Sequence, residues 1–438
     1  MLGIDTNIFP HTAEVNEANH LVIGGCDAVE LAQRFGTPLY VFDEITLRRK
    51  CREFVQEFVQ RYPDSQVVYA CKAYINPALA RLFNQEGLGL DVVSGGELAT
   101  AQKATFPMDK IYFHGNNKGR DELEMAVRLG VGRVVIDNLD EIELLNDVAK
   151  ASGKAQAVLL RVSPGVDPHT HGHTTTGILD SKFGIPIQTG QAEEAVIQVM
   201  HASHLDPVGL HFHLGSPIFQ MEPYQEAIEV TMAFAAAMRE RHGLEIREFS
   251  PGGGFAIQYT EDKPPPRVAQ YADTIVSALH ENCKAPTLPP PKLILEPGRA
   301  IVGQAGVALY TVGAIKEIPG VRKYVSVDGG MGDNIRPAIY GAKYEAILAN
   351  RMGDKNRERV TIAGKFCESG DILVEDVEIP HAGPGDTIAI PASGADCLSL
   401  ASNYNAAPKP PIVLIKDGGA QLIRRRETFE DLMRCDLI

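Results

Sequence analysis

The chain is organised around the stretch QVVYACKAY, residues 66–74, which places a lysine at the end of a short apolar run. A run of this length is typical of a strand buried on both faces, as in a parallel sheet. Lys72 is expected to be poorly solvated at the strand end, where an amine can act as a nucleophile and form a Schiff base. Taken alone, the pattern is more typical of a lysine that reaches from a strand end to solvent.

Similar strand-like segments recur along the chain and alternate with helical ones. The predicted strands are residues 66–74, 88–94, 110–116, 133–138, 155–164, 209–216, 245–254 and 292–299. The stretches between them carry apolar residues at helical spacing and often end in glycine, a helix stop. Eight such repeats are the count of a (β/α)8 TIM barrel, so we predict an α/β barrel over residues 45–305.

The remaining chain predicts a second domain. After residue 305 the pattern changes to short alternating strands, which indicates a C-terminal β-sandwich or β-barrel domain over residues 306–438. FGTPLYVFD, residues 35–43, reads as the first strand, without a helix ahead of it, and is expected to join this sheet. The N-terminal segment 1–44 would then belong to the β domain.

The amino-acid composition argues against nucleic acid and membranes as partners of the protein. The 438 residues carry 42 Lys and Arg against 56 Asp and Glu, so we expect no nucleic-acid partner. The seven cysteines show no CxxC spacing, which fits a reducing cytoplasm better than a disulfide framework or a zinc ribbon. The N-terminus lacks the pattern of a signal peptide and no apolar run approaches ~18 residues, so we expect a cytoplasmic protein with no membrane partner.

Residues able to do chemistry follow the predicted strands at their C-terminal ends, the catalytic face of a barrel. They are Lys72, Asp91, Ser94, His114, Arg161, His213, Gly252 to Gly254, and Glu296. In PGGGF, residues 251–255, glycines let backbone amides approach a phosphate, although such triplets are also common in tight turns. Ser216 in HLGS, and Gly298 with Arg299 in EPGR, add donors at neighbouring strand ends.

Two histidines and a glutamate are candidates for contact with a cofactor ring. His211 and His213 share one face of a strand, but no third ligand with matching spacing follows, so we expect no metal. His213 is predicted to lie over an aromatic ring, and His211 fits a core histidine better. Glu296 follows an apolar strand and needs a cationic partner, which a pyridinium nitrogen or Arg299 would supply.

Taken together, these motifs resemble the fold-type III pyridoxal phosphate-dependent decarboxylases, and CESGD, residues 367–371, favours the diaminopimelate group over ornithine or arginine decarboxylases. The matching stretches are FGTPLYVFD, YACKAY, LGLDVVSGGELATA, FHGNNK, TGILDSKFGI, HFHLGS, GGGF, EPGR, DGGMGDNIRPAIYGA, CESGD and ASNYN. The resemblance implies pyridoxal 5'-phosphate as the cofactor. Lys72 would form the Schiff base, His213 would stack on the ring, and Glu296 would pair with the ring nitrogen. The residues that the resemblance implies for the phosphate are Ser216, Gly252, Gly253 and Gly254, and the neighbouring strand-end donors Gly298 and Arg299 are predicted to contribute to the cofactor site.

The resemblance also implies how an amino-acid substrate is held. Arg299, Arg336 and Tyr340 would hold a distal carboxylate, a role suited to bidentate guanidinium. Cys367, as a proton donor, and Glu368, reading a distal amine, would come from the other subunit of a homodimer with shared active sites.

Two positions depart from the family pattern. Relatives commonly have tyrosine where this chain has Asp396, and histidine where it has Tyr344. Either Tyr404 or another group replaces the missing tyrosine in the substrate site, or the substrate differs.

The expected reaction is decarboxylation of meso-2,6-diaminopimelate to L-lysine and carbon dioxide. One alternative is a related decarboxylase or racemase acting on another basic amino acid of the ornithine, lysine, arginine or carboxynorspermidine type. The other is a non-catalytic homologue that still binds the cofactor, since a fold does not imply a function.

Overall fold

The computed structural model describes residues 4–167, 176–283 and 288–438. The chain divides into two compact units. The barrel unit comprises Cys51–Ala256 and Pro266–Gly298, and the sheet unit comprises Met1–Lys50, Ile257–Pro265 and Arg299–Ile438. The stretch Ile257–Pro265, which the sequence placed in the barrel, therefore groups with the sheet unit.

The N-terminal segment is more structured than the sequence indicated. Its elements are β1 (Glu14–Val15), β2 (Leu21–Ile23), β3 (Cys26–Asp27), α1 (Ala28–Phe35), β4 (Leu39–Asp43) and α2 (Glu44–Arg61). The prediction that FGTPLYVFD is the first strand, with no helix ahead of it, was wrong. Strands of two or three residues leave no periodic signal, whereas α1 has a readable start because the carboxylate of Asp27 accepts the Val29 and Glu30 amides.

The barrel unit alternates strands and helices along the chain. Its strands are β5 (Ser65–Ala70), β6 (Gly89–Val92), β7 (Ile111–Phe113), β8 (Arg133–Ile136), β9 (Gln156–Ser163), β10 (Ile185–Pro186), β11 (Leu205–His211), β12 (Glu248–Ser250) and β13 (Lys292–Leu295). Its helices are α3 (Pro77–Gln85), α4 (Gly95–Lys103), α5 (Arg120–Leu129), α6 (Leu139–Ala151), α7 (Gln191–His201), α8 (Glu222–His242) and α9 (Val268–Asn282).

Eight of these strands close into a parallel barrel, which confirms the predicted fold class. The ring runs β5-β6-β7-β8-β9-β11-β12-β13 and returns to β5 through parallel pairing of β13 with β5. Among the strands that the structure describes, the two-residue strand β10 pairs with β9 alone and lies outside the ring. Buried side chains from six ring strands pack together, namely Val68, Tyr112, Val135, Leu159, Val208 and Ile294. Parallel pairing brings all the strand C-terminal ends to one face, which holds the candidate site.

The sheet unit is built mainly from the C-terminal part of the chain. Its strands are β14 (Gly306–Ile318), β15 (Arg322–Val327), β16 (Ile347–Leu348), β17 (Arg357–Ala363), β18 (Ile372–Pro380), β19 (Thr387–Ile390), β20 (Ile412–Lys416) and β21 (Gly419–Arg424). The helices are α10 (Arg299–Val302), α11 (Arg336–Tyr340) and α12 (Phe429–Met433). As predicted, β4 joins this sheet, pairing antiparallel with β14 and parallel with β20.

Among the described residues, no helix combines the length and the apolar character needed to cross a bilayer.

Candidate active site

Lys72 does not lie in strand β5 but in the short 3-10 turn Cys71–Ala73 that follows it. The expectation that it is poorly solvated was wrong, because its side chain is exposed while Cys71 and Ala73 on either side are buried. Burial raises the pKa of Asp91 well above its usual range, and the positive charge of Lys72 opposes that rise. Burial also raises the pKa of Glu97, and the charge of Lys72 opposes that rise as well, so the Lys72 amine lies within electrostatic reach of two acidic groups.

Glu296 is buried directly after β13, and hydrogen bonds hold both of its carboxylate oxygens. Its Oε1 accepts from the hydroxyl of Ser250 at 2.8 Å, and its Oε2 lies 3.0 Å from Nε2 of His211. Burial raises the pKa of Glu296, whereas the Ser250 hydroxyl and the positive charge of Arg161 oppose the rise. The carboxylate is thus removed from water, oriented, and surrounded by groups that favour its ionised form.

A neutral histidine lies beside this carboxylate without bonding to it. Nε2 of His114 is 3.6 Å from Oε1 of Glu296 and 3.7 Å from Oδ1 of Asp91. Within the described residues neither His114 Nε2 nor Asp91 Oδ1 has a hydrogen-bond partner. Burial lowers the pKa of His114 well below its usual value, so the ring is uncharged near neutral pH. These unsatisfied polar atoms leave the site able to accommodate a further polar group.

The ligand atoms of His114, His211 and Glu296 lie within 4.8 Å of one another, a grouping that could hold a metal ion. From the sequence, a metal site was considered only for the pair His211 and His213, for which no third ligand was apparent. The structure brings a third group to His211, but His213 is not part of that cluster.

The three glycines of PGGGF are required by close approach of neighbouring strand ends. A Cβ on Gly252 would lie 2.7 Å from the ring of His213, and one on Gly253 only 2.2 Å from the carbonyl oxygen of Glu296. A Cβ on Gly254 would lie 2.5 Å from the carbonyl oxygen of Gly215 in HLGS. The glycines therefore bring together the ends of β11, β12 and β13, where the sequence expected a phosphate site.

His213 follows β11 with its ring against the glycine turn. Its Nδ1 accepts the backbone N–H of Gly253 at 3.2 Å. Burial lowers the pKa of His213 well below the usual value, and the charges of Arg161 and Lys72 add to the effect. A neutral, fixed imidazole is suited to stacking on a flat ring.

In the sheet unit, Arg299 contacts two groups that were not predicted from the sequence to be its partners. Its Nη2 lies 2.9 Å from Oδ2 of Asp396, and its Nη1 donates to the hydroxyl of Tyr259 at 2.6 Å. Asp396 Oδ2 is buried and has no hydrogen-bond partner within the described part of the chain, so the contact with Arg299 is mainly Coulombic. The guanidinium of Arg336 lies over the ring of the same Tyr259, 4.8 Å from its centroid, and donates to the hydroxyl of Tyr344.

Asp396 and Tyr344, the two departures from the family pattern, thus both contact an arginine that the sequence assigned to substrate. Tyr340 is partly exposed at the C-terminal end of α11, four residues after Arg336.

The CESGD loop is exposed at Cys367 and Glu368 and contacts the ASNYN stretch. The amide of Cys367 donates to the side chain of Asn405 at 3.0 Å, and the hydroxyl of Tyr404 donates to the carbonyl oxygen of Cys367 at 3.3 Å. The structure therefore brings Tyr404 to Cys367. Sequence reasoning missed Ser250, Tyr259 and the role of His211. Only the position of Ser250 at a strand end, beside the glycine turn, could have drawn attention to it.

Comparison with known proteins places these residues in a family. The model of the pyridoxal-dependent decarboxylase family's pyridoxal binding domain matches residues 45–303. Diaminopimelate decarboxylase of Bacillus subtilis (strain 168) is 47% identical, over 97% of each chain. That of Mycobacterium tuberculosis (strain H37Rv) is 41% identical, over 100% of this chain and 99% of the relative.

A solved structure agrees with the sequence relatives. Diaminopimelate decarboxylase from M. jannaschii, in co-complex with L-lysine, superposes with a TM-score of 0.92 at 37% identity, covering 98% of each chain. Such agreement spans the barrel, the sheet unit and the motifs that carry the site, so the chain belongs to the diaminopimelate decarboxylases of the pyridoxal-dependent decarboxylase family.

Proposed function

We propose that this chain decarboxylates meso-2,6-diaminopimelate to L-lysine and carbon dioxide, with pyridoxal 5'-phosphate as cofactor. The proposal is supported by its membership of the family and by the L-lysine, the expected product, present with the M. jannaschii relative.

The observation that carries the proposal is the environment of the buried Glu296 carboxylate. A buried carboxylate needs a cationic or hydrogen-bonding partner, and its two oxygens already accept from Ser250 and His211 at a face that also holds unsatisfied polar atoms. A pyridinium nitrogen fits this environment. When bound, the cofactor withdraws electrons from the substrate α-carbon as the bond to its carboxylate breaks.

The other barrel residues fit the remaining parts of the cofactor. Lys72 supplies an exposed amine for covalent attachment, and the neutral ring of His213 packs on the pyridine face without adding positive charge. The groups we propose for the phosphate are Ser216, Gly252, Gly253, Gly254, Gly298 and Arg299, with glycines that allow backbone amides to approach it.

We assign recognition of the substrate to residues of the sheet unit. Arg299, Arg336 and Tyr340 are proposed to hold the distal carboxylate, because arginine stays charged when buried and binds carboxylates through a planar fork. Asp396 beside Arg299 leaves the two guanidiniums with one net positive charge, which matches a single carboxylate.

We further propose a cytoplasmic homodimer with shared active sites. Cys367, as proton donor, and Glu368, as partner of the distal amine, would serve the site of the other subunit, and Tyr404 would position that loop through its bond to Cys367. Each of the seven cysteines carries a thiol rather than a disulfide, which fits a reducing compartment.

The test is to incubate the purified protein and pyridoxal 5'-phosphate with meso-diaminopimelate, ornithine, lysine, arginine and carboxynorspermidine, scoring carbon dioxide and product. Carbon dioxide and L-lysine from diaminopimelate alone are expected. Release from another substrate would show that the specificity is different. Cofactor binding with no reaction on any of them would favour the non-catalytic alternative.

A further inference from the structure

The hydroxyl of Ser250 is placed to donate its hydrogen to Glu296. Its Oγ accepts the backbone N–H of Gly252 at 3.1 Å and lies 2.8 Å from Oε1 of Glu296. Because the Gly252 amide brings its own hydrogen, the only hydrogen of the hydroxyl is left for Glu296. Ser250 is fully buried, so water does not compete for it.

His211 supplies a second donor to the same carboxylate. Burial lowers the pKa of His211 well below its usual value, so the ring is neutral and carries one N–H. Its Nε2 is 3.0 Å from Oε2 of Glu296, and its Nδ1 has no hydrogen-bond partner among the described residues. With Glu296 ionised, the hydrogen lies on Nε2 and points at the carboxylate.

Barrel topology places both donors beside Glu296. His211 and Ser250 are direct partners in the parallel register of β11 and β12, and Glu296 follows β13, the next strand in the ring. His114 is different, because its Nε2 is 3.6 Å from the carboxylate and makes no hydrogen bond to it. The ends of three successive strands therefore carry the carboxylate of Glu296 and two hydrogen-bond donors, one for each of its oxygens.

We propose that Ser250 and His211 are positioning residues that each donate one hydrogen bond to Glu296 and thereby keep a proton on the ring nitrogen of the cofactor rather than on the carboxylate. The inference rests on the proposed function, in which Glu296 pairs with that nitrogen. Hydrogen bonds to the ionised form of an acid lower its affinity for a proton. Without either donor, Glu296 becomes the stronger base and takes a larger share of the proton that lies between the two groups.

The test measures the ring nitrogen directly. Holoenzyme reconstituted with pyridoxal 5'-phosphate labelled with ¹⁵N in the ring is titrated without substrate, and the ¹⁵N chemical shift reports the protonated fraction. Ser250→Ala and His211→Leu should each shift the proton from the ring nitrogen towards Glu296. The ratio of the two protonated forms should change by about tenfold or more, the usual effect of one hydrogen bond to a charged group. His211→Gln, whose amide can still donate, should restore a shift near that of the wild type.

A matched control separates this effect from general loosening of the barrel. Thr231 in α8 is another fully buried hydroxyl in the same unit, and its Oγ1 has no partner among the described residues. Thr231→Val should leave the ¹⁵N titration unchanged. Thermal melting and cofactor content establish that each variant is folded and loaded, and if His211→Leu does not fold, Ser250→Ala decides.

Glu296→Gln distinguishes a failure of the positioning role of Ser250 and His211 from a failure of the proposed role of Glu296. If it moves the ¹⁵N signal while Ser250→Ala and His211→Leu behave as wild type, the positioning role is wrong and the role of Glu296 stands. If it leaves the signal unchanged, Glu296 is not the partner of the nitrogen, and both assignments fail.

Discussion

Lys72 is exposed in a turn, so its amine can reach a carbonyl compound without disturbing the buried residues on either side. We predict that the protein as purified absorbs in the visible because the cofactor is bound covalently to this lysine. Borohydride reduction followed by peptide mass spectrometry should find the adduct on Lys72. Lys72→Ala should abolish it, whereas Lys103→Ala, at an exposed position in α4, should not. An adduct on another lysine, or none, would contradict the central assignment.

Glu296 should be needed for turnover more than for binding of the cofactor. Glu296→Gln keeps the shape but removes the negative charge that favours a protonated ring nitrogen. We expect the cofactor to remain bound while kcat falls by roughly two orders of magnitude or more, about 2.7 kcal/mol in the barrier. Glu281→Gln, an exposed position at the end of α9, serves as the control. Near-normal turnover of Glu296→Gln would rule out the electronic role.

Asp396 contacts the guanidinium that we assign to the substrate, and its φ of 62° is in the left-handed region. Asn tolerates that conformation, so Asp396→Asn removes the charge with little backbone strain. Removing a carboxylate that competes for Arg299 should lower KM for diaminopimelate by about threefold to tenfold, with little change in kcat. Steady-state kinetics test this prediction, with lower ionic strength enlarging the difference. A higher KM would mean that Asp396 assists binding instead.

At the scale of elements, β4 is tied to the sheet by tyrosines as well as by strand pairing. The hydroxyls of Tyr310 in β14 and Tyr40 in β4 lie 2.5 Å and 3.3 Å from Oδ2 of Asp333, and the amide of Gly330 donates to Oδ1 at 2.9 Å. Burial nevertheless raises the pKa of Asp333 to about 6. The carboxyl therefore binds its proton more tightly in the folded protein than in the unfolded chain.

This difference predicts a pH dependence of stability. The contribution of Asp333 is fully present below its ordinary pKa of about 3.8 and is lost as the pH rises through about 6, because the native state holds the extra proton in that window. Relative to Asp333→Asn, the wild type should lose up to about 3 kcal/mol of unfolding free energy from pH 4 to 7. Urea unfolding at several pH values measures it, with Asp354→Asn at an exposed position as control. Parallel pH profiles of Asp333→Asn and wild type would contradict the assignment.

At the scale of the whole molecule, the proposed dimer can be tested by complementation. Lys72→Ala and Glu368→Ala should each be nearly inactive alone, since one lacks the attachment point and the other the partner of the distal amine. After subunit exchange, each mixed dimer carries both lesions in one site and none in the other. If half of the dimers are mixed, activity should approach about a quarter of wild type. No recovery, with exchange confirmed by mass, would show that each site is built from one chain.

The barrel could be predicted from the sequence, because each of its strands is a local apolar run followed by helical periodicity and a helix stop. It also placed Lys72, Glu296 and the glycine turn near strand C-terminal ends, because the change from an apolar run to polar residues and glycine can be read locally to within a few residues. Strands β1 to β3, β10, β16 and β18 were not identified, and all of these except β18 have only two or three residues, too few to show a period.

Which side chains meet depends on long-range contacts that no local sequence pattern reveals. Glu296 receives its hydrogen bonds from residues 46 and 85 positions earlier, Ser250 and His211, because closure of the barrel sets β11, β12 and β13 side by side. Arg299 meets Asp396 because folding of the sheet unit brings them together. Lys72 proved exposed because β5 ends at Ala70, and an apolar run does not reveal the residue at which its strand turns.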